Sequence, residues 1–249
     1  MVGMQETVVV VPCYNEEKRL EASAFLDATR LNSKLQFLFV NDGSSDGTES
    51  LLEGLVREGA GRLHVLNLER NRGKAEAVRQ GILRASRMRP AVVGFLDADL
   101  ATPIGEVPRM CAAFENPALQ VVLGSRVALL GRDVRRSPLR HYLGRAFGTT
   151  AAALLQMPVY DTQCGAKLLR NTALVELLFG EQFSTRWSFD VEMLARLQRL
   201  SRQGRAGPIA EIALEFPLWK WEDVAGSKLS LLASARAVGE LLLIWERYR

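Results

Sequence analysis

The sequence predicts an α/β protein with a doubly wound, mostly parallel sheet, and three observations carry that prediction. Apolar runs recur through the first half of the chain, at 7–11, 35–40, 63–66 and 91–96. Runs this rich in apolar residues, with no regular alternation, suit strands buried in a parallel sheet. The segments between them have helical rather than alternating periodicity. Each run also gives way to a polar loop carrying residues that a mere connection does not need. Strands alternating with helices at this spacing make βαβ units.

Taken in order, Thr7–Val11 is a β-branched run that reads as a buried strand. A helix is expected from about Asn15, with Asn15 as its cap and Glu16 and Glu17 in a first turn where the helix dipole favours acids. Leu35–Val40 is the second strand, and Thr48–Glu58 a helix that Asp46 or Ser45 can cap. Leu63–Leu66 is the third strand. Lys74–Arg87 follows as a helix with Ala75, Val78, Ile82 and Ala85 on one stripe. Ala91–Leu96 is the fourth strand. The second half is less regular. Strands are expected at Leu119–Leu123 and Ala166–Leu169, helices at Pro138–Leu155 and Phe189–Leu200, and a half-exposed strand at the alternating stretch Ile209–Leu218. The last twenty residues read as an amphipathic helix with Leu231, Ala235, Val238, Leu242 and Trp245 on one face. With no repeat, low-complexity tract or linker, residues 1–249 form one domain. Residues 1–100 are expected to be its ligand- and metal-binding half, and 101–249 the half that takes the second ligand, an acceptor, and carries the C-terminal amphipathic helix.

Composition narrows the class. Among 249 residues, 48% are hydrophobic and 24% charged, enough for a full core without metal or disulfide staples. Cys13, Cys111 and Cys164 are far apart and form no CxxC, so neither a zinc site nor a disulfide framework is supported, and a reducing, cytoplasmic setting is expected. No signal peptide is read at the start of the chain and no apolar run approaches the ~18 residues that span a membrane. Net charge is +4, yet residues 126–145 hold six arginines (126, 132, 135, 136, 140 and 145) against the single acid Asp133. That excess points to phosphate groups or an anionic surface; a nucleic acid is not expected.

The chemistry concentrates at strand ends, where open parallel sheets bind ligands. "GFLDADLATP" ends the fourth strand with Asp97 and Asp99, which in an extended segment point the same way. Two such carboxylates repel unless a cation lies near, and Mg²⁺ or Mn²⁺ suits these hard oxygen donors. A solvated turn capping the next helix is the alternative. In "NDGSSDGT", Gly43 and Gly47 permit tight turns, and Asp42 at the strand end can accept an N–H from a nucleobase. In "RNRGKAEA", Gly73 lets the backbone approach a ligand, and Lys74 adds a cation where a helix begins, a place that favours anions. No GxGxxG follows the first strand, and Gly73-Lys74 lacks the rest of a P-loop.

Together the strings "VVVVPCYNEE", "FVNDGSSDGT", "NRGKAEAVRQG" and "FLDADL" resemble the nucleotide-sugar half of family-2 glycosyltransferases. The later strings "LGSR", "DTQCGAKLL", "RWSFDVEML" and "GSKL" resemble the polyprenyl-phosphate glycosyltransferases, closest to the dolichyl-phosphate β-glucosyltransferase branch. The resemblance implies a GT-A fold with a Rossmann-like sheet and a UDP-sugar donor carrying glucose. Pro12, Tyr14, Asn15, Glu16, Asp42, Gly43, Ala98 and Gln163 would line the nucleotide-sugar, Lys74 would meet its diphosphate, and Asp97 and Asp99 would hold the Mg²⁺ or Mn²⁺. It also implies a polyprenyl phosphate acceptor, for which Arg126, Arg136 and Arg140 are the phosphate ligands and Ser137 a hydrogen-bond donor. Asp99, Arg126 and Asp190 are the residues expected to act in the reaction, which inverts the anomeric centre. Lys167 joins Gln163 in lining the site, and Trp187 reads as core or sugar platform. Two departures stand out. Ala101 replaces a glutamine frequent in the related mannose-synthase branch, and the first strand begins almost at once, where eukaryotic glucosyltransferases carry an anchor. A lipid acceptor makes the C-terminal helix a candidate for a membrane surface or membrane partner, giving a peripheral membrane protein. The rival reading is a hydroxyl acceptor on a glycan or glycolipid, with Asp190 as general base.

Overall fold

The computed structural model describes residues 4–135, 137–223 and 231–249, with the backbone alone for 138–141, 143 and 231–238. Arg136 and the "GSKL" string therefore lie outside the described residues, as does the side chain of Arg140. The element order is β1 (Thr7–Cys13), α1 (Ala22–Leu31), β2 (Leu35–Asn41), α2 (Thr48–Glu58), β3 (Leu63–Asn67), α3 (Lys74–Arg87), β4 (Val92–Leu96) and α4 (Glu106–Ala112). Then come β5 (Val121–Ser125), β6 (Asp133–Arg135), α5 (Pro138–Leu155), β7 (Ala166–Arg170), α6 (Ala173–Phe179), α7 (Phe189–Arg202), α8 (Ile209–Ile212), β8 (Ala213–Pro217), β9 (Lys220–Glu222) and α9 (Leu231–Tyr248).

Seven strands form one sheet in the order β3-β2-β1-β4-β7-β5-β8, and β6 and β9 pair as a small second sheet. β1 through β4 are parallel, whereas β7 is antiparallel to both its neighbours β4 and β5. The reversal matters for function. It brings the start of β7 to the same edge as the carboxyl ends of β1, β2, β3, β4 and β5. The runs in β1 and β4 are buried throughout because both faces of these central strands are covered, whereas Gln36 and His64 interrupt β2 and the edge strand β3. Val8, Val10, Leu38, Val40, Val93 and Phe95 pack with α3, α6 and α7. Val9, Val11, Phe37, Phe39, Val92 and Leu96 pack with α1, α2 and α4. Alternate residues of a strand point to opposite faces, so each run feeds two cores.

Four expectations need correction. No helix starts at Asn15; the residue has φ 56, and α1 begins at Ala22. The Asn15 carboxamide accepts the Ser45 N–H at 2.9 Å, so it ties two loops together instead of capping a helix. The stretch from Ile209 opens as the short helix α8 before β8 begins. On α9 the side chains of Leu231, Ala235 and Val238 lie outside those described; among the rest Leu241, Ile244 and Tyr248 are buried, while Leu242 (58% exposed) and Trp245 of the expected stripe face outward. Asp97 and Asp99 do not stand on an extended segment either. β4 ends at Leu96, and Leu100, with φ 51, donates its N–H to Asp97 O, making 97–100 a turn. Elsewhere α2, α3 and α5 match the expected bounds, and Ala75, Val78, Ile82 and Ala85 are all buried.

Candidate active site

The carboxyl edge of the sheet gathers the polar loops. The loop after β1 docks on the loop after β2: Asn15 N–H donates to Ser44 Oγ, Glu16 N–H to Thr48 Oγ1, and Gly47 N–H to Glu17 Oε2. Asp46 helps start α2 by accepting the Thr48 N–H at 3.1 Å. Asp42 is buried, and its two oxygens accept the backbone N–H groups of Arg72 and Gly73, each at 2.8 Å. Burial raises its pKa in spite of those two bonds. The carboxylate thus holds the entry to α3, and an incoming N–H would have to share it. Gly43 makes this possible: with φ 61 it lies against the Arg70 backbone, where a Cβ would fall 2.5 Å from the Arg70 carbonyl carbon. Glu16 is clamped by Arg19 through bonds of 2.6 and 3.0 Å, whereas Tyr14 is 47% exposed and presents its ring to solvent.

At the centre, Lys74 Nζ lies 2.6 Å from Asp97 Oδ1. Burial works against the Lys74 charge, but Asp97 and Asp190 together raise its pKa. Asp99 is raised too, first by burial and then by repulsion from Asp97, so the two carboxylates do share one field. Gly165, just before β7, leaves room for them; a Cβ there would lie 2.2 Å from Asp97 Oδ2. The donor set fits a divalent cation. Asp97 Oδ1 is closed off from solvent without an aligned hydrogen bond, and the charge it meets is the Lys74 ammonium. Among the described residues no group of three or more His, Cys, Asp or Glu side chains is arranged to hold an ion unaided. Asp97 and Asp99 would hold such an ion only together with oxygen donors from a ligand or water.

Beside this pair, Arg126 donates its backbone N–H, Nε and Nη2 to Asp161 at 3.0, 2.7 and 2.7 Å, leaving Nη1 as the guanidinium nitrogen that Asp161 does not engage. Burial would raise the Asp161 carboxyl, but the Arg126 charge and its hydrogen bonds outweigh that and bring it to about 2. Glu215 on β8 accepts the N–H groups of Tyr160 and Asp161 and so fixes the loop. Asp190, in the first turn of α7, is buried and ion-paired at 2.6 Å with Lys167, itself 0% exposed. Burial still raises the Asp190 pKa. Gln163 donates its N–H to Asp161 Oδ1, and Ser137 its N–H to Asp223 Oδ2. Pro12 is half-buried and Ala98 buried at this edge. Besides Asp97 Oδ1, whose partner is the Lys74 ammonium, the buried hydroxyls of Ser125, Thr162 and Ser188 have no hydrogen-bond partner among the described residues, and all belong to segments meeting here.

Four participants escaped the sequence reading. Asp161 and Gly165 sit within the quoted string "DTQCGAKLL", but their partners Arg126 and Asp97 are remote in the chain. Arg186 places Nε 3.2 Å from where a Gly73 Cβ would stand and acts electrostatically on Asp42. Glu240 of α9 accepts the N–H groups of Arg186, Trp187 and Ser188 at 3.2, 3.4 and 2.7 Å, and thereby sets the segment that carries Arg186. No local pattern marks Glu240.

Comparison with known proteins agrees with this architecture. Residues 8–178 match glycosyl transferase family 2. Dolichyl-phosphate beta-glucosyltransferase of Drosophila melanogaster is 35% identical, over 98% of this chain and 75% of that protein. The enzyme of the same name from Dictyostelium discoideum is 34% identical, over 91% and 69%, and that from Homo sapiens 32% identical, over 96% and 75%. Among solved structures, glucosyl-3-phosphoglycerate synthase of Mycobacterium tuberculosis with UDP superposes with a TM-score of 0.66 at 19% identity, covering 97% of this chain and 80% of the other. A mannosyltransferase of Pyrobaculum calidifontis with GDP-Man and Mn²⁺ gives a TM-score of 0.63 at 17% identity, covering 98% and 64%. The sheet with its switched strand β7 is thus the GT-A fold. The chain belongs to glycosyl transferase family 2 and is an enzyme of the hexosyltransferase class.

Proposed function

We propose that this enzyme transfers glucose from UDP-glucose to a polyprenyl phosphate of the dolichyl or undecaprenyl type, inverting the anomeric centre to give a β-linked product. The observation that carries the reading is the meeting of Asp97, Asp99 and Lys74 with the Arg126–Asp161 pair at one sheet edge. The names of the relatives at 32–35% identity support the acceptor and the sugar.

In this reading the loop after β1, with Pro12, Tyr14, Asn15 and Glu16, and the Asp42–Gly43 turn border the nucleoside. Ala98 and Gln163 border the diphosphate and sugar. Asp97 and Asp99 hold Mg²⁺ or Mn²⁺, which when bound stabilises the negative charge that builds on the departing diphosphate. Lys74 adds a second cation at the start of α3, where the helix N-terminus favours anions. The acceptor phosphate is anionic near neutral pH and needs aim and charge neutralisation rather than a base. Arg126 offers Nη1 while Asp161 holds its other nitrogens, so the guanidinium is aligned before the phosphate arrives. Arg136, Ser137 and Arg140 would extend that phosphate site. Asp190 is held by Lys167 at 2.6 Å, and in this reading it positions a donor hydroxyl. The phosphate acceptor is favoured over a hydroxyl acceptor by the relatives' names and by the Arg126 guanidinium beside the site. The enzyme would work from the cytoplasmic side, peripheral to a membrane.

The test is transfer by the purified chain from UDP-glucose, with Mg²⁺ or Mn²⁺, to polyprenyl phosphate and to the matching polyprenol, with GDP-mannose as donor control. Hexose should appear on the phosphate, from UDP-glucose and only with metal. Equal transfer to the polyprenol would overturn the acceptor assignment, and preference for GDP-mannose the donor assignment.

A further inference from the structure

Beyond Arg126 the chain runs through a turn that the reaction does not use. Arg132 N–H donates to Leu129 O at 3.1 Å, and Gly131, with φ 81, supplies the left-handed residue that the turn needs. The turn is firmly held. The Arg132 guanidinium lies 3.8 Å above the Trp219 ring, and that of Arg109 stands 4.8 Å from the same ring. Asp133 N–H donates to Trp219 O at 2.8 Å as β6 begins its pairing with β9. Glu106 accepts the N–H groups of Trp219 and Lys220 and also pairs loosely with Arg109 at 3.9 Å, so it ties the base of the turn to a half-exposed arginine.

The tip of this braced turn is apolar. Leu129 is 47% exposed, Leu130 is fully exposed, and Trp219 beside them is 47% exposed. Flexible loops can fold such residues away, but this turn is anchored by two arginines against the Trp219 ring and by a strand pair. A cluster of apolar side chains held outward and rimmed by polar ones marks a surface that something covers. Its rim is basic. Arg109, Arg132 and Lys220 stand around it, and the neighbouring acid of the turn, Asp133, is paired with Arg135 at 2.8 Å. Leucine at the tip, tryptophan at its base and arginines at the rim are the order in which a bilayer changes from acyl chain to interface to phosphate. The turn also follows Arg126 directly, so it sits at the rim of the sheet edge where the acceptor phosphate is placed.

We propose that the Leu129–Arg132 turn, with Trp219, Arg109 and Lys220, seats the protein on an anionic lipid bilayer. Leu129 and Leu130 enter the boundary between headgroups and acyl chains, and Arg109 and Arg132 meet lipid phosphates. The site edge then faces the membrane, so an acceptor phosphate reaches Arg126 while its tail stays in the bilayer. That purpose rests on the lipid-phosphate reading of the acceptor, but the binding itself does not.

The test uses the full chain and vesicles without any polyprenyl phosphate. Co-sedimentation is measured with phosphatidylcholine alone and with phosphatidylcholine containing phosphatidylglycerol. The wild type should bind the anionic vesicles, more weakly as salt rises. Leu129→Ser/Leu130→Ser should bind about tenfold more weakly. Its melting temperature, and its transfer to a short, water-soluble polyprenyl phosphate, should be unchanged. Leu130→Trp should bind more tightly. The proposal is overturned if the wild type does not bind anionic vesicles or if the serine double variant binds as well as wild type. It is equally overturned if Leu242→Ser/Leu243→Ser on α9 abolishes binding instead, or if ultracentrifugation finds a wild-type dimer that Leu129→Ser/Leu130→Ser converts to monomer. Failure of vesicle binding with transfer to the soluble acceptor intact rejects the membrane surface alone. Loss of transfer to every polyprenyl phosphate would reject the catalytic reading.

Discussion

Replacing Asp161 by asparagine keeps the shape of the side chain and removes the charge that Arg126 is built around. Three donors converge on this carboxylate at 2.7 to 3.0 Å, and the residue is 7% exposed. Its pKa in the fold, about 2, lies below the ordinary 3.8. A carboxyl lowered on folding adds stability above its unfolded value and loses it as pH falls through its folded one. At 1.36 kcal/mol for each pH unit, that interval is worth about 2 kcal/mol at neutral pH. The variant forfeits this and also leaves a guanidinium in low dielectric with a neutral partner. Breaking a buried pair from one side costs about 3–5 kcal/mol, and the amide oxygen of asparagine still accepts one of the N–H groups, so about 3 kcal/mol is expected. Urea unfolding at pH 7, repeated stepwise into acid, measures it. The stability of the wild type should fall toward that of Asp161→Asn as pH drops from 3.8 to about 2, because only the wild type has this carboxylate to protonate. A loss below about 1 kcal/mol at neutral pH, or two acid profiles that stay parallel, would refute the claim that Asp161 organises Arg126.

Three further outcomes follow from the same geometry. Asp99→Asn should abolish metal-dependent turnover while calorimetry finds the melting temperature at or above wild type. The Asp99 pKa is raised on folding, so its ionised form is a burden at neutral pH that asparagine lifts; full activity in this variant would remove the metal assignment. Glu240→Ala should free the amides of residues 186–188 and raise the Michaelis constant for the donor more than it lowers kcat, with partial rescue by Glu240→Gln; an unchanged donor constant would reduce Glu240 to a helix anchor. Gly43→Ala should cost about 2 kcal/mol, since the residue holds φ 61 against the Arg70 backbone, and calorimetric titration should show weaker UDP binding; wild-type stability would contradict the crowding.

What could be read along the chain was whatever depends on near neighbours. The runs Thr7–Val11 and Ala91–Leu96 announced strands covered on both sides, and Val8/Val10 against Val9/Val11 do feed separate cores. The stripe on α3 was visible because helical period and burial coincide there. The start of α1 was misjudged because an asparagine before two acids looks like a cap, whereas the Asn15 side chain is bound by Ser45 thirty residues on. The face of α9 was misjudged because that helix is apolar on more than one side, and only its contacts decide that Leu241 and Ile244 turn inward while Leu242 and Trp245 do not.

The site divides the same way. Asp97, Asp99, Lys74 and Asp42 could be named from the sequence because each stands at the end of a strand or the start of a helix, and strand ends in a parallel sheet converge on one edge whatever the rest of the fold does. The direction of β7 was not in the sequence, since a short apolar strand reads alike either way along a sheet. That direction brings Asp161 to Arg126, Gly165 to Asp97 and Lys167 to Asp190, and with the docking of α9 it puts Glu240 under Arg186. Sequence by itself determined which residues could carry charge to the sheet edge, because strand and helix formation are governed by local spacing. Tertiary structure alone decided which opposite charges and amides those residues meet, because the partners lie tens of residues apart and are joined only by packing.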